Sequence, residues 1–491
     1  MTTARTEFRG VSNLITVDRR TSTPLYQQIY DAFRTRVIRG ELRAGQVVPS
    51  TRDLARELRV SRLPVLNAYA QLLAEGYFES RVGAGTFIAT ELPVAGGQLR
   101  ATDNRQPDTR ISKHAASLPK YERPSWAGTL GAFQVGQPDL HSFPMEIWSR
   151  LMSRYSRRLR VKGLQYGDPM GLPELREAIA NYLRTSRAVR CEAEQVMIVS
   201  GSQQALDLST RVLLDAGASA WMEEPGYWLA QQVLKAAGCR AVPVPVDADG
   251  LNVAAGMRAA PRARAVFVAP SHQYPLGVTM SATRRLQLLE WAQRSGAWII
   301  EDDYDSEYRY DSMPIASLQG LDRNARVVYV GTFSKVMFPS LRLGYLVVPP
   351  DLVERFTAMR QVMDLGPPHV YQAVMAEFIR EGHFSRHIRK MRPVYAERRR
   401  VLVEELEREL GDAIEIAGAE AGMHLTILLR GKRHDDQQIA AKAARQSLLL
   451  SPLSLAYAGG SPRHGFVLGF GNTKASQIPA AVRHLKILLS D

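Results

Sequence analysis

The sequence predicts a multidomain chain: a small helical module closed by a two-strand hairpin, an α/β body on a parallel sheet, and a smaller α+β lobe at the end. Three observations predict it. Near the N-terminus the apolar residues Leu25, Ile29, Phe33 and Val37 recur at every fourth position, the period of one helix face. Farther on, short apolar runs such as Val196-Met197-Ile198-Val199, Ala265-Val266-Phe267-Val268 and Trp298-Ile299-Ile300 alternate with helical stretches, the pattern of a parallel sheet covered on both faces. Between the two, residues 91–125 hold Gly96-Gly97, Pro93, Pro107, Pro119 and Pro124 with no sustained apolar period, which marks a linker.

In chain order, residues 1–22 form an arm and 23–90 the small module. Its first helix runs from Pro24 to Gly40. Its second opens at Ser50, followed three residues later by Asp53, a capping arrangement. The third starts at Ser61 as N-cap, turns Val65, Ala68, Tyr69 and Leu72 inward, and ends near Gly76. Tyr77 to Ile88 alternates and turns on glycines, which reads as a hairpin wing. The body occupies 126–491. From about residue 385 its long charged helices, short strands and closing helix read as the α+β lobe.

With 45% hydrophobic and 23% charged residues, the chain can bury a core, and global disorder is excluded. A net charge of +14 points to a polyanionic partner. The first 90 residues sharpen this, with 13 Arg and no Lys against 8 acidic residues, because clustered cations gain affinity by displacing phosphate counterions. Cys191 and Cys239 are too few for a disulfide framework and lack CxxC spacing, which fits a reducing compartment. The start has no apolar leader core, and no run of about 18 apolar residues follows. The expected location is cytoplasmic, with no membrane partner.

Several segments carry chemistry. Gly331-Thr332-Phe333-Ser334-Lys335 follows the strand-like Val327–Val330 and precedes Arg342 by seven residues. Trp298-Ile299-Ile300 runs into Glu301-Asp302-Asp303-Tyr304-Asp305-Ser306-Glu307, beyond the carboxyl end of a strand, where open α/β sheets place active groups. An acidic run can also hold a metal, but no histidine pattern completes one here, so no metal is expected. Ser200-Gly201-Ser202-Gln203 follows a strand and opens a helix, an arrangement that cradles phosphate, with Ser202 and Gln203 as donors.

Residues Pro24 to Thr90, including PSTRDLARELRVSRLPVLNAYAQLLAEGYFESRVGAGTFI, resemble the winged helix-turn-helix of the GntR family. The resemblance implies that the third helix enters the major groove by its N-terminal end. Arg62 then reads a base, a contact worth ~1–3 kcal/mol of discrimination. Arg52 and Ser61 occupy DNA-contacting positions, and Gly83 at the wing tip lets the backbone approach the minor groove. Pro64 stands where related sequences often carry a hydroxyl. A first-turn proline is tolerated, so the expected consequence is an altered base preference. The residues alone leave open a solvated arginine surface on a protein-binding module.

The Lys335 segment resembles the Schiff-base lysine motif of fold-type I pyridoxal-phosphate aminotransferases. This implies that Lys335 forms the internal aldimine and that Thr332, Ser334 and Arg342 hold the cofactor phosphate. Asp302 then pairs with the pyridinium nitrogen, Tyr304 bonds the ring O3′, and Tyr227 of Glu223-Glu224-Pro225-Gly226-Tyr227 stacks on the ring. In Pro270-Ser271-His272-Gln273-Tyr274-Pro275-Leu276-Gly277, Tyr274 fills the slot of the asparagine in the usual Asn-Pro-x-Gly. That segment together with Asp302-Asp303-Tyr304-Asp305-Ser306-Glu307 resembles the MocR (GabR-like) regulators. Tyr166 of Tyr166-Gly167-Asp168-Pro169 is implied to reach the partner subunit's cofactor, hence a homodimer, domain-swapped head to tail. Arg463 is the candidate clamp for an effector carboxylate, with an exposed loop arginine as the other reading. The basic stretch His387–Arg400 either extends a DNA surface or is a solvated helix face.

The expectation is a pyridoxal-phosphate-dependent, sequence-specific transcription regulator rather than an enzyme. It would bind double-stranded promoter DNA and sense an amine, an amino acid or the cofactor itself, with RNA polymerase a further candidate partner. The alternative is an active aminotransferase with a fused DNA-binding module.

Overall fold

The computed structural model describes residues 15–81, 83–91, 111–112, 115–116, 118–119, 130–310, 315–324, 326–431 and 435–490. The chain divides into two compact units, Met1–Thr109 and Arg110–Asp491. Most of the expected arm and linker lies outside the described residues.

In the first unit, α1 (Leu25–Ile38), α2 (Thr51–Glu57) and α3 (Arg62–Ala74) are followed by β1 (Phe78–Arg81) and β2 (Gly85–Ile88). The four-residue apolar period becomes the packed face: Ile29, Phe33 and Val37 of α1 are buried with Leu54 of α2 and Val65, Ala68, Tyr69 and Leu72 of α3. Phe33, Tyr69 and Phe78 meet edge to face at centroid distances of 5.7, 5.2 and 5.1 Å, the geometry that ring quadrupoles favour. The Ser50 hydroxyl accepts from Asp53 N at 3.2 Å, as expected. Ser61 is the N-cap residue of α3, but its side chain makes no cap bond. The wing pairs antiparallel, Phe78 opposite Ile88, and turns through Gly83 at φ +76°, which glycine adopts without strain.

Among the described residues of the second unit, the large sheet contains β3 (Val196–Val199), β4 (Ser219–Glu224), β5 (Arg240–Asp247), β6 (Gly250–Leu251), β7 (Ala265–Val268), β8 (Trp298–Asp303), β9 (Val327–Thr332) and β10 (Gly344–Val347). Their order is β3-β10-β9-β8-β7-β4-β5-β6. The expectation of a parallel sheet needs correction: β10 runs antiparallel between β3 and β9, and β6 is antiparallel to β5. β10 returns to β9 through residues 333–343, which hold no α-helix, whereas a parallel neighbour is usually reached by a helical crossover. Both faces are covered. Val196, Ile198, Tyr329 and Tyr345 pack under Leu175, Ile179 and Leu183 of α4 (Pro173–Ser186). Met197, Val199, Val328 and Val330 pack under Ala205 and Leu206 of α5 (Ser202–Leu213).

The α+β lobe is present. A long helix, α6 (His383–Leu410), leads to a four-stranded antiparallel sheet of β11 (Ile414–Ala417), β12 (His424–Leu429), β13 (Ser451–Pro452) and β14 (Gly465–Gly469), closed by α7 (Ile478–Ser490). Its Leu425, Ile427, Phe466 and Leu468 share one buried cluster with Val196, Ile198 and Tyr329 of the large sheet, so lobe and body close on each other. No helix among the described residues is long and apolar enough to cross a membrane.

Candidate functional site

The short β9–β10 connection carries Lys335 to the end of the large sheet. Its Nζ donates to the Gly136 carbonyl at 3.2 Å. Gly136 sits at φ +72°, and a Cβ there would lie 2.3 Å from Nζ. Burial lowers the Lys335 pKa, opposed by the carboxylates of Asp305 and Asp302 and assisted by Arg342.

Strand alternation separates the two neighbouring aspartates of β8. Asp303 is buried with the Arg187 Nε at 2.8 Å and the Tyr329 hydroxyl donating at 2.5 Å. Asp302 lies within electrostatic reach of Lys335, and its Oδ1 is buried with no hydrogen-bond partner. Burial pushes its carboxyl up to about 7, Asp303 adds to the rise, and Lys335 opposes it. Tyr304 follows, its hydroxyl raised well above the ordinary value by burial and then by Asp305 and Asp302. Tyr227 and Tyr274 meet edge to face, centroids 6.0 Å apart at 87°. Burial raises both hydroxyls, that of Tyr274 to about 12.

At the other end, Gly201 leads into α5 at φ +100° with no side-chain cap, so the first N–H groups of the helix are open to an anion. The Arg342 guanidinium lies 3.5 Å from where a Gly201 Cβ would stand. Arg342 itself is left-handed, at φ 50° and ψ 46°, a costly conformation for a side-chain-bearing residue. Gln203 Nε2 donates to the Leu229 carbonyl at 3.3 Å, while its Oε1 is buried and unpartnered. Thr332 Oγ1 accepts from Ser334 N at 3.2 Å, shaping the turn before Lys335.

Ser202, Gln203, Tyr227, Tyr274, Asp302, Tyr304, Thr332, Ser334, Lys335 and Arg342 therefore converge on one end of the sheet. Tyr166 is expected at the cofactor of a second copy rather than in this group. Tyr166 is 89% exposed. Arg463 is exposed on the loop before β14, and its Nη2 donates to Glu415 at 3.0 Å, which fits the other reading, an exposed loop arginine. In the first unit Arg52, Ser61, Arg62 and Gly83 are all exposed. Arg62 Nε donates to Thr51 Oγ1 at 3.1 Å, which steadies the guanidinium beside the first turn of α3. The absent Ser61 cap leaves that turn's N–H groups without a side-chain acceptor.

The structure adds residues that spacing did not disclose. Gly136 acts through its carbonyl, which no side-chain pattern announces. His272 and His424 also gather at Asp305. His272 lay inside a segment already singled out, but His424 arrives from the lobe, and no local spacing signals it.

Comparison with known proteins agrees with both units. Residues 25–88 match the family described as bacterial regulatory proteins, gntR family, and residues 134–463 match aminotransferase class I and II. The chain is 40% identical over 476 residues, 96% of its length and 95% of the relative's, to the "Probable rhizopine catabolism regulatory protein MocR" of Rhizobium meliloti. It is 31% identical, covering 92% of each chain, to the "HTH-type pyridoxine biosynthesis transcriptional regulator PdxR" of Corynebacterium glutamicum. Among solved structures, the kynurenine aminotransferase of Pyrococcus horikoshii in complex with PMP is similar with a TM-score of 0.71 at 27% identity. That match covers 77% of this chain and 96% of the other.

Proposed function

Since the chain belongs to the gntR-type regulators that carry an aminotransferase class I and II domain, we propose that it is a transcription regulator that binds promoter DNA through residues 25–88 and senses a small amine or amino acid, or the cofactor itself, at the Lys335 site, with pyridoxal 5′-phosphate as cofactor. The observation that carries this reading is the union, in one chain, of an exposed Arg62 surface and the Lys335–Asp302 pair.

Three features fit the cofactor: a partly buried amine of lowered pKa at Lys335, the unpartnered Asp302 oxygen, and the Arg342 guanidinium beside the uncapped start of α5. When bound, the group supplies a carbonyl that condenses with primary amines and a ring that withdraws electrons. Lys335 would anchor it through its amine. Arg342, Ser202 and the first N–H groups of α5 would bind the phosphate, with Thr332 and Ser334 shaping the adjoining turn. Asp302 would hold the proton on the ring nitrogen, Tyr304 would donate to the ring oxygen, and Tyr227 and Tyr274 would cover the ring and exclude water. In a homodimer the exposed Tyr166 would reach the site of the second copy.

A ligand at this site changes DNA binding only by favouring one DNA-binding geometry over another. The test is a promoter duplex titrated with protein, with and without pyridoxal phosphate and candidate amines. A ligand-dependent shift of the isotherm or footprint supports the regulator, and failure to bind any neighbouring promoter contradicts it. The completeness of the Lys335, Asp302 and Tyr304 set favours one second reading, an active aminotransferase. Multiple turnovers with an amino acid and a keto-acid acceptor would establish that reading.

A further inference from the structure

We propose that His272, Asp305 and His424 form a site for one divalent transition-metal ion that clasps the large sheet to the C-terminal lobe. His272 lies in the segment after β7, Asp305 two residues past β8, and His424 opens β12 in the lobe. One nitrogen of each ring and a carboxylate oxygen all lie within 4.8 Å of one another. The three residues are 2%, 2% and 3% exposed. His272 Nδ1 stands 3.1 Å from both Asp305 oxygens, close to the ~3.3 Å edge between ligands of a tetrahedral ion with bonds of ~2.0–2.1 Å. The widest separation, within 4.8 Å, exceeds that edge by about 1.5 Å.

The cluster is also incomplete without a guest. Nε2 of His424 is buried with no hydrogen-bond partner, an arrangement that native interiors avoid. The main chain makes room for the group: at Gly422, φ +69°, a Cβ would stand 2.2 Å from His272 Cε1 and 2.4 Å from Asp305 Oδ2. Two imidazoles and one carboxylate suit Zn²⁺ and its neighbours in the first transition row, whereas Mg²⁺ and Ca²⁺ take all-oxygen shells.

The experiment is metal counting by mass spectrometry on full-length protein that has been stripped with chelator, equilibrated with micromolar Zn²⁺ and desalted. The expected result is about one zinc per chain in the wild type and in Lys335→Ala, which excludes metal held through the cofactor. Retention should fall at least tenfold in His424→Gln and His272→Gln. Zinc should raise the melting temperature of the wild type and leave that of His424→Gln unmoved. No retention by the wild type overturns the proposal. Equal retention by folded His424→Gln and His272→Gln does the same, since it identifies an adventitious ion only. If both variants fail to fold, Co²⁺-loaded wild type decides: visible bands of a four- or five-coordinate nitrogen and oxygen site uphold it, and a hexaaqua-like spectrum overturns it.

Discussion

Lys335 Nζ donates to the Gly136 carbonyl across 199 residues of sequence, and the missing Gly136 side chain is what lets the amine lie there. A methyl group at 136 would stand 2.3 Å from Nζ on a backbone at φ +72°. Gly136→Ala is therefore expected to displace the lysine and weaken pyridoxal-phosphate binding at least tenfold. Lys335→Ala should abolish the visible absorbance band of the bound cofactor altogether. Absorbance titrations measure both, and an unchanged band in Lys335→Ala refutes the lysine assignment.

Arg62 is exposed at the start of α3 and steadied by Thr51 at 3.1 Å. Arg62→Ala should remove about 1–3 kcal/mol of discrimination, roughly 5- to 150-fold between cognate and scrambled duplexes, with the cofactor spectrum unaltered. Anisotropy titrations with the two duplexes check this. Equal discrimination by wild type and variant removes Arg62 from the reading surface.

The Ser50 hydroxyl caps α2 through Asp53 N at 3.2 Å. Ser50→Ala should destabilise the N-terminal unit by about 1 kcal/mol. Chemical denaturation followed by a probe confined to that unit measures the change, and the cofactor site should be untouched.

Buried carboxyls in the second unit set a pH dependence. Burial raises Asp302, Glu301 and Glu307 to about 7 and Glu223 to about 8. In the window from about pH 4 to 7 the folded state then holds protons that the unfolded chain has released, so the stability of the cofactor-free protein falls as pH rises. Asp305, whose carboxyl is lowered, acts below that window, where its stabilisation is lost as pH falls. Asp302→Asn should flatten the slope between pH 4 and 7 by at most about 1.4 kcal/mol per pH unit. Denaturant midpoints across that range test it, and an unchanged slope means that Asp302 does not titrate there.

What the sequence made legible was local. The Ile29, Phe33 and Val37 face announces itself by period, and Asp302 and Tyr304 by their place at a strand's end, because helix and strand geometry act over a few residues. Contacts that join distant segments were not legible. The direction of β10 goes with a connection, residues 333–343, that holds no crossover helix, which an apolar run does not disclose. His424 reached Asp305 only because the lobe's sheet packs onto the body. Ser61 looked like the cap that Ser50 is, yet its hydroxyl makes no such bond. Arg463 sits on an exposed loop beside Glu415, a placement that its sequence neighbours do not disclose.

The most direct test of a DNA-binding unit governed through the Lys335 site is a promoter-duplex titration of wild type and Lys335→Ala, each with and without pyridoxal phosphate plus a candidate amine. The predicted result is a ligand-dependent change of affinity or footprint in the wild type that is absent in Lys335→Ala, with both proteins still binding the duplex. Identical isotherms for the wild type with and without ligand, together with aminotransferase turnover at ordinary enzyme rates, would contradict it.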